Sequence, residues 1–120
     1  FLRHLPADDV PFWDLVYTDG SDAPRDSSSA AIVVCGLLEL ARVESDAAQA
    51  AEWAARAHAI LASLIANYTP VTPEDADGLI LHSVYDLPKD VGVDEATLWG
   101  DYFYLEALMR VSRPEWKKYW

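Results

Sequence analysis

The stretch Ala30-Ala-Ile-Val-Val-Cys-Gly-Leu-Leu-Glu-Leu-Ala-Arg-Val43 constrains the fold more than any other, because as a helix it is apolar on nearly every face until Glu39 and Arg42. Asp26-Ser-Ser-Ser29 stands immediately before it. Those short polar side chains satisfy the free N–H groups of a first turn, so a helix is predicted to start between Ser27 and Ser29. A helix with no polar face has to be surrounded by other elements. Gly36 in its middle costs about 1 kcal/mol relative to alanine, a cost accepted where another backbone comes close.

Glu44-Ser-Asp46 interrupts this run, and a second helix is predicted from about Asp46 to Tyr68. Ala50, Trp53, Ala54, Ala57, Ile60, Leu61, Leu64 and Ile65 repeat at spacings of 3 and 4, with Gln49, Glu52, Arg56 and Asn67 on the other side. The pair reads as an inner helix followed by an outer amphipathic one, joined as an antiparallel αα-hairpin. His58, on the flank of the stripe, is read as a surface or partly buried histidine and not as a ligand. Thr69-Pro-Val-Thr-Pro73 ends the second helix, because proline removes a donor and fixes φ. The acidic turn Glu74–Gly78 lacks the oxygen spacing of an EF-hand.

A third helix is predicted within Gly92–Arg110, with Asp94 as N-cap and Glu95 in the first turn. Leu98, Tyr102, Leu105 and Met109 fall on one stripe, and Trp99, Phe103, Tyr104, Leu108 and Val111 extend the apolar surface, so burial on several sides is expected. Glu106 and Arg110 are spaced to pair on the helix surface. Upstream, Pro6, Pro11, Gly20 and Pro24 exclude regular helix over residues 1–26, where Phe12–Tyr17 is expected to be extended and Phe12, Trp13 and Tyr17 to anchor a long loop. Trp116, Tyr119 and Trp120 point to a docked C-terminal tail.

At 120 residues the chain is at most one domain, and 52% hydrophobic residues suffice for a core. A net charge of −11 excludes a nucleic-acid or anionic-membrane surface, which needs clustered Lys and Arg. No apolar run is long enough to span a bilayer. Cys35 is the single cysteine, expected as a buried thiol; that fits a reducing compartment, and a cytoplasmic location is the expectation. Because the chain starts at Phe1 and not at a methionine, it reads as a fragment or processed piece.

There is no Gly-rich phosphate loop, no Cys/His metal spacing, no His-Glu-x-x-His and no Gly-x-Ser-x-Gly, so no metal and no cofactor is expected. Helix capping accounts for the serine cluster better than a nucleophile does, since nothing local would activate one. A softer constellation remains: Trp13, Tyr85, Trp99, Tyr102 and Tyr104 with Arg25, His82, Lys89 and Asp101. Aromatic planes beside hydrogen-bonding tips suit a sugar ring, although core aromatics and solvated charges give the same mixture.

Arg-Asp-Ser-Ser-Ser-Ala-Ala-Ile at 25–32, Gly-Leu-Leu-Glu-Leu at 36–40 and Gly-Val-Asp-Glu-Ala-Thr-Leu-Trp-Gly-Asp-Tyr-Phe-Tyr-Leu-Glu-Ala-Leu at 92–108 resemble the C-terminal third of the unsaturated glucuronyl hydrolases, glycoside hydrolase family 88. The resemblance implies an all-α fold, part of an (α/α)6 barrel of inner and outer helical hairpins with long loops. Residues 1–120 would be the C-terminal fragment of that single domain. The implied reaction removes a 4,5-unsaturated uronic acid from lyase-generated oligosaccharides: an aspartate protonates the double bond and activates a water that adds across it, and the hemiketal opens.

The family's catalytic aspartates lie in the first two thirds of the barrel, so no catalytic residue is carried over. The loop from Leu81 to Asp94 borders the family's pocket, which makes His82, Tyr85 and Lys89 candidate substrate-binding residues, with Trp99 and Asp101 beside them. Some members carry Ser-x-x-Ser-x-Lys in this loop, favouring sulfated sugars; Asp86, Lys89 and Val91 stand there instead, and an acid would repel a sulfate. The implied partners are an unsaturated oligosaccharide and either the missing N-terminal part of the barrel or a second copy of the chain. The chain alone is expected to be inactive; the alternative reading is a non-catalytic helical interaction module built on the same framework.

Overall fold

The computed structural model describes residues 1–72, 74, 76–113 and 115–117. Helix α1 runs over Ser27–Val43, α2 over Ala47–Asn67 and α3 over Leu98–Ser112. Between α2 and α3 a two-stranded antiparallel sheet pairs β1 (Ser83–Asp86) with β2 (Val91–Glu95). Short 3-10 turns occupy Leu2–His4 and Leu87–Lys89.

The predicted helical hairpin forms as its caps dictate. Asp26 accepts from Ser28 N at 3.2 Å to start α1, and Asp46 accepts from Ala48 N and Gln49 N at 2.8 and 3.1 Å to start α2. Ala30, Ala31, Val34 and Leu37 of α1 meet Ala57, Ile60, Leu61 and Leu64 of α2, and the cluster continues through Val10, Tyr68, Ile80, Tyr104 and Ala107. Burial of α1 is nonetheless one-sided. Ile32, Leu40 and Val43 are 40%, 48% and 60% exposed, because α2 and α3, with β1 at its start, leave that side of the helix uncovered. His58 is on the exposed side of α2, its Nδ1 2.7 Å from Ala54 O. Among the described residues no helix is long and apolar enough to cross a membrane.

Three expectations need correction. First, the fold is mostly helical, but the loop expected before α3 carries a small sheet: residues 83–95 form a hairpin with Ser83 opposite Glu95, Val84 opposite Val93 and Asp86 opposite Val91. Asp94 is the extra residue of β2 at the irregularity between Ser83 and Val84, a bulge with φ 61°. It therefore cannot cap α3, a job done by Thr97, whose Oγ1 accepts from Gly100 N at 3.2 Å. Second, the α3 stripe is turned outward, with Leu98, Tyr102 and Leu105 85%, 48% and 50% exposed, while Gly100, Tyr104, Glu106 and Ala107 are buried. A helix with apolar residues all round carries no local signal for which side its neighbours cover. Third, Glu106 and Arg110 do pair, at 2.8 Å, but in the interior: their side chains are 2% and 13% exposed.

The N-terminal segment is held by Val10 in the core and by polar contacts. Tyr68 Oη donates to Asp8 Oδ2 (2.7 Å), Arg56 pairs with Asp9 (2.7 Å), and the Arg25 guanidinium sits 4.0 Å from the Phe12 ring centre while donating to Val10 O. Extended pairing is confined to Phe12, bridged to Arg25; Asp14 accepts from Val16 N and turns the chain away from the extended run expected up to Tyr17. Phe12 is buried, whereas Trp13 is half-buried and Tyr17 is 37% exposed. Trp116 lies 5.8 Å from the Arg110 guanidinium; the rest of the expected aromatic tail, Tyr119 and Trp120, lies outside the described residues.

Cys35 is buried, its thiol donating to Phe103 O (3.4 Å). Burial first, then the neighbouring Glu106, pushes its pKa from 9.0 up to about 12. A raised folded-state pKa means that the stabilisation is whole below pH 9 and is lost as pH rises towards 12. Stability measured across this range is expected to show a loss on the order of 4 kcal/mol from this group. Cys35→Ala should shrink that alkaline loss, and an unchanged profile would refute the assignment.

Candidate functional site

The hairpin and the start of α3 are fastened to the start of α1 by a knot of buried hydroxyls. Ser27 Oγ lies 2.9 Å from Ser83 Oγ, and Ser27 N donates to His82 O at 3.1 Å. Ser28 Oγ donates to Asp26 Oδ1 (2.6 Å) and accepts from Trp99 Nε1 (3.1 Å). Asp26 also accepts from Val84 N at 3.4 Å. Gly100 sits at the centre, where a Cβ would meet Thr97 Oγ1 at 2.8 Å, Ser28 Cβ at 3.2 Å and Ser83 Oγ at 3.3 Å. Capping alone was legible in this serine cluster; its partners come from residues 83–100, distant in sequence.

On that base stands an exposed aromatic pair. Tyr85 and Trp99 have ring centres 5.6 Å apart at 54°, and are 63% and 39% exposed. His82 stands at the other end of β1 with φ 66°, its Nδ1 2.6 Å from Asp94 Oδ1 and its ring edge-on to Tyr68 at 5.8 Å. His82 and Asp94 are both left-handed non-glycine residues, a conformation that persists where surroundings over-determine it. The bulge is what aims Asp94 at the histidine. Sequence reasoning missed Asp94 in this role, because nothing in a lone acid after Gly92 announces a bulge.

Lys89, at the hairpin turn, is paired with Asp86 at 2.5 Å. Asp101 faces the other way: its Oδ1 accepts from Leu79 N (2.9 Å) and Ile80 N (3.2 Å), fixing the segment that leads into β1. It lines a groove of about 450 Å³ with Gly78, Leu79, Thr69 and Tyr104. A second, more polar groove of about 410 Å³ is bounded by Asp77, Leu81, Asp94 and Glu95. The structure thus sets Tyr85 of the hairpin against Trp99 of α3, with His82 just before β1, Lys89 at the hairpin turn and Asp101 fixing the segment that leads into β1. Trp13, Arg25 and Tyr104 do not join them: Arg25 is engaged with Phe12 and Asp8, and Tyr104 is buried. Among the described residues no group of His, Cys, Asp and Glu could hold a metal ion.

No protein-family model matches the chain. An unsaturated chondroitin disaccharide hydrolase of Streptococcus pneumoniae is 45% identical over 122 residues, a match covering all of this chain and 30% of that protein. An unsaturated glucuronyl hydrolase of Bacillus sp. strain GL1 is 34% identical over 94% of this chain and likewise 30% of the relative. Among solved structures, a variant of the Streptococcus agalactiae unsaturated glucuronyl hydrolase superposes with a TM-score of 0.94 at 41% identity, over 100% of this chain and 32% of that one. Another variant of it, complexed with dGlcA-GalNAc6S, gives 0.92 at 43% identity. The chain spans about 30% of the length of the curated relatives it matches. In sequence and in fold, therefore, the chain belongs with the unsaturated glucuronyl hydrolases, as the counterpart of their C-terminal 30%.

Proposed function

We propose that this chain is the C-terminal portion of a glycoside hydrolase that removes 4,5-unsaturated uronic acid from lyase-generated oligosaccharides by hydrating the double bond. The observation that carries the reading is the match along the whole chain, at 45% identity to an unsaturated chondroitin disaccharide hydrolase. Residues 1–120 contribute α1 and α3 as inner helices and α2 as an outer helix of an (α/α)6 barrel. The catalytic acids come from the part of the barrel that precedes them, so the chain alone is inactive.

Within that enzyme the β1–β2 hairpin is one wall of the substrate pocket. The rings of Tyr85 and Trp99 offer an apolar platform to a sugar face, and sugar C–H groups pack on such surfaces while the hydroxyls reach polar tips at the rim. His82, held by Asp94 through Nδ1, presents its other ring nitrogen for hydrogen bonding. Lys89 is the cation of the hairpin turn, and Asp101 acts through the segment it fixes. Because Asp86 occupies Lys89, an incoming sulfate would meet a carboxylate beside a cation already neutralised, and the substrates are unsulfated.

The experiment follows the absorbance of the substrate double bond. Purified chain with an unsulfated unsaturated disaccharide is expected to leave the signal unchanged. The same chain joined to the preceding 70% of the Streptococcus pneumoniae relative is expected to consume it, and to prefer it over the sulfated analogue. Turnover by the chain alone, or a folded joined protein without activity, would overturn the proposal.

A further inference from the structure

The aspartate that opens α1 does more than a helix start requires. A cap needs one side-chain oxygen to accept from an N–H group of the first turn, and Asp26 Oδ1 meets that need at Ser28 N, 3.2 Å away. The same oxygen takes two further donors that belong to the candidate site: Ser28 Oγ at 2.6 Å and, through a longer bond of 3.4 Å, Val84 N of β1. Asp26 is itself pinned from behind, its own N–H donating to Pro11 O at 2.9 Å.

The direction of these bonds is fixed by chemistry. A carboxylate only accepts and an indole N–H only donates. Hence the one proton of the Ser28 hydroxyl goes to Asp26, and its lone pairs are left for Trp99 Nε1–H at 3.1 Å. A hydroxyl held by a charged acceptor is a firmer partner than a free one, and Ser28 is buried, so water does not compete for it. The Trp99 ring is thereby fastened by its only polar atom while part of its surface stays open. Tyr85, the residue after Val84, leans on that ring with centres 5.6 Å apart. Across the hairpin Tyr85 lies over Gly92, where a Cβ would come 3.0 Å from Tyr85 Cβ.

Resting on the reading that Tyr85 and Trp99 form a sugar platform, we propose that Asp26 is the positioning residue of that platform. One carboxylate oxygen sets the Trp99 ring through Ser28 and the backbone next to Tyr85 through Val84 N. The same bonds decide what Trp99 can recognise. With its single donor engaged by Ser28, it offers a ligand ring carbon and no hydrogen bond, so it selects for an apolar sugar face and not for a pattern of hydroxyls. Asp26→Ser separates capping from positioning. Serine caps a helix about as well as aspartate does, but its side chain is shorter and cannot hold Ser28 Oγ and Val84 N together. Asp26→Asn keeps an accepting oxygen at the same reach.

The test reads the Trp99 indole proton in ¹⁵N-correlated spectra of the chain. Asp26→Ser and Ser28→Ala should each speed its exchange with solvent by about tenfold, the effect of one lost hydrogen bond. The Trp53 indole serves as the unchanged reference, and Asp26→Asn should restore most of the protection. In the chain joined to the preceding 70% of the Streptococcus pneumoniae relative, the same two variants should raise KM for an unsaturated disaccharide by about five- to tenfold. Their kcat should stay within about twofold, as it does when the lost contact is shared by ground and transition states. Unchanged Trp99 exchange in both variants would overturn the proposal, as would a fall in kcat at unaltered KM. If Asp26→Ser loses helix content by circular dichroism, Ser28→Ala decides. The two readings fail separately. A folded wild-type joined protein without turnover refutes the proposed function, and the indole exchange still decides whether Asp26 and Ser28 hold Trp99. Unaltered KM in an active enzyme whose Trp99 indole has been released refutes the positioning role alone.

Discussion

Truncation of Leu64 to alanine is expected to destabilise the chain by about 3–4 kcal/mol, while the same truncation at Leu105 should cost less than about 0.5 kcal/mol. Leu64 is fully buried on the face of α2 that carries Ala57, Ile60 and Leu61 against α1. Removing its side chain forfeits the transfer free energy of the lost carbons and leaves a cavity that two rigid helices cannot close. Against a total of about 5–15 kcal/mol for a small domain, that is a large fraction. At roughly 3–5 °C per kcal/mol for this size, Tm should fall by about 10–18 °C. Leu105, 50% exposed on the outward stripe of α3, packs against too little in this chain to matter. In the joined enzyme, where the proposed barrel lays another helix over that stripe, Leu105→Ala should cost about 2 kcal/mol or more. Denaturant titrations of both variants in both contexts decide it. A Leu105→Ala chain as destabilised as Leu64→Ala would mean that the stripe is already covered, by self-association.

Gly100→Ala is expected to destabilise the chain by about 2 kcal/mol, although alanine is the better helix former. At Gly100 the new carbon would lie 2.8 Å from Thr97 Oγ1, the oxygen that caps α3. Moving that oxygen away loses a cap worth about 1 kcal/mol. Retreat on the other side is blocked by Ser28 Cβ and Ser83 Oγ, buried atoms of α1 and β1, so overpacking adds about 1–3 kcal/mol. The gain in helix propensity, at most about 1 kcal/mol, offsets only part of this. The damage should be visible at the candidate site, because Ser28 also holds the Trp99 indole. In a ¹⁵N-correlated spectrum, the Trp99 indole resonance should shift more than those of Trp13 and Trp53. A Gly100→Ala chain with unchanged Tm and unchanged indole signals would refute the hydroxyl knot as the support of the aromatic pair.

What could be read in advance follows from where each signal resides. Asp26 and Asp46 announce α1 and α2 because a cap and the N–H groups it satisfies lie within three residues of each other. Apolar periodicity gave the inward face of α2, since its other side is polar. Neither device works for residues 83–95. Strands this short show no alternation, and their pairing rests on a bulge at Asp94 and left-handed residues at His82, Asp90, Gly92 and Asp94. The aspartate that looked like a cap was a bulge, with Thr97 three residues later doing the capping by the same chemistry.

By itself, then, the sequence determined the αα-hairpin, the buried cysteine, the acidic character and the relationship to the unsaturated glucuronyl hydrolases, because each depends on local patterns or on residues counted in order. Only the tertiary structure decided which side of α3 is covered, that Glu106 is interior, and that Ser27, Ser28, Ser83 and Thr97 converge on Gly100. These depend on which elements arrive at the same place. Three helix and strand starts separated by tens of residues meet there through packing that no local window of the chain contains.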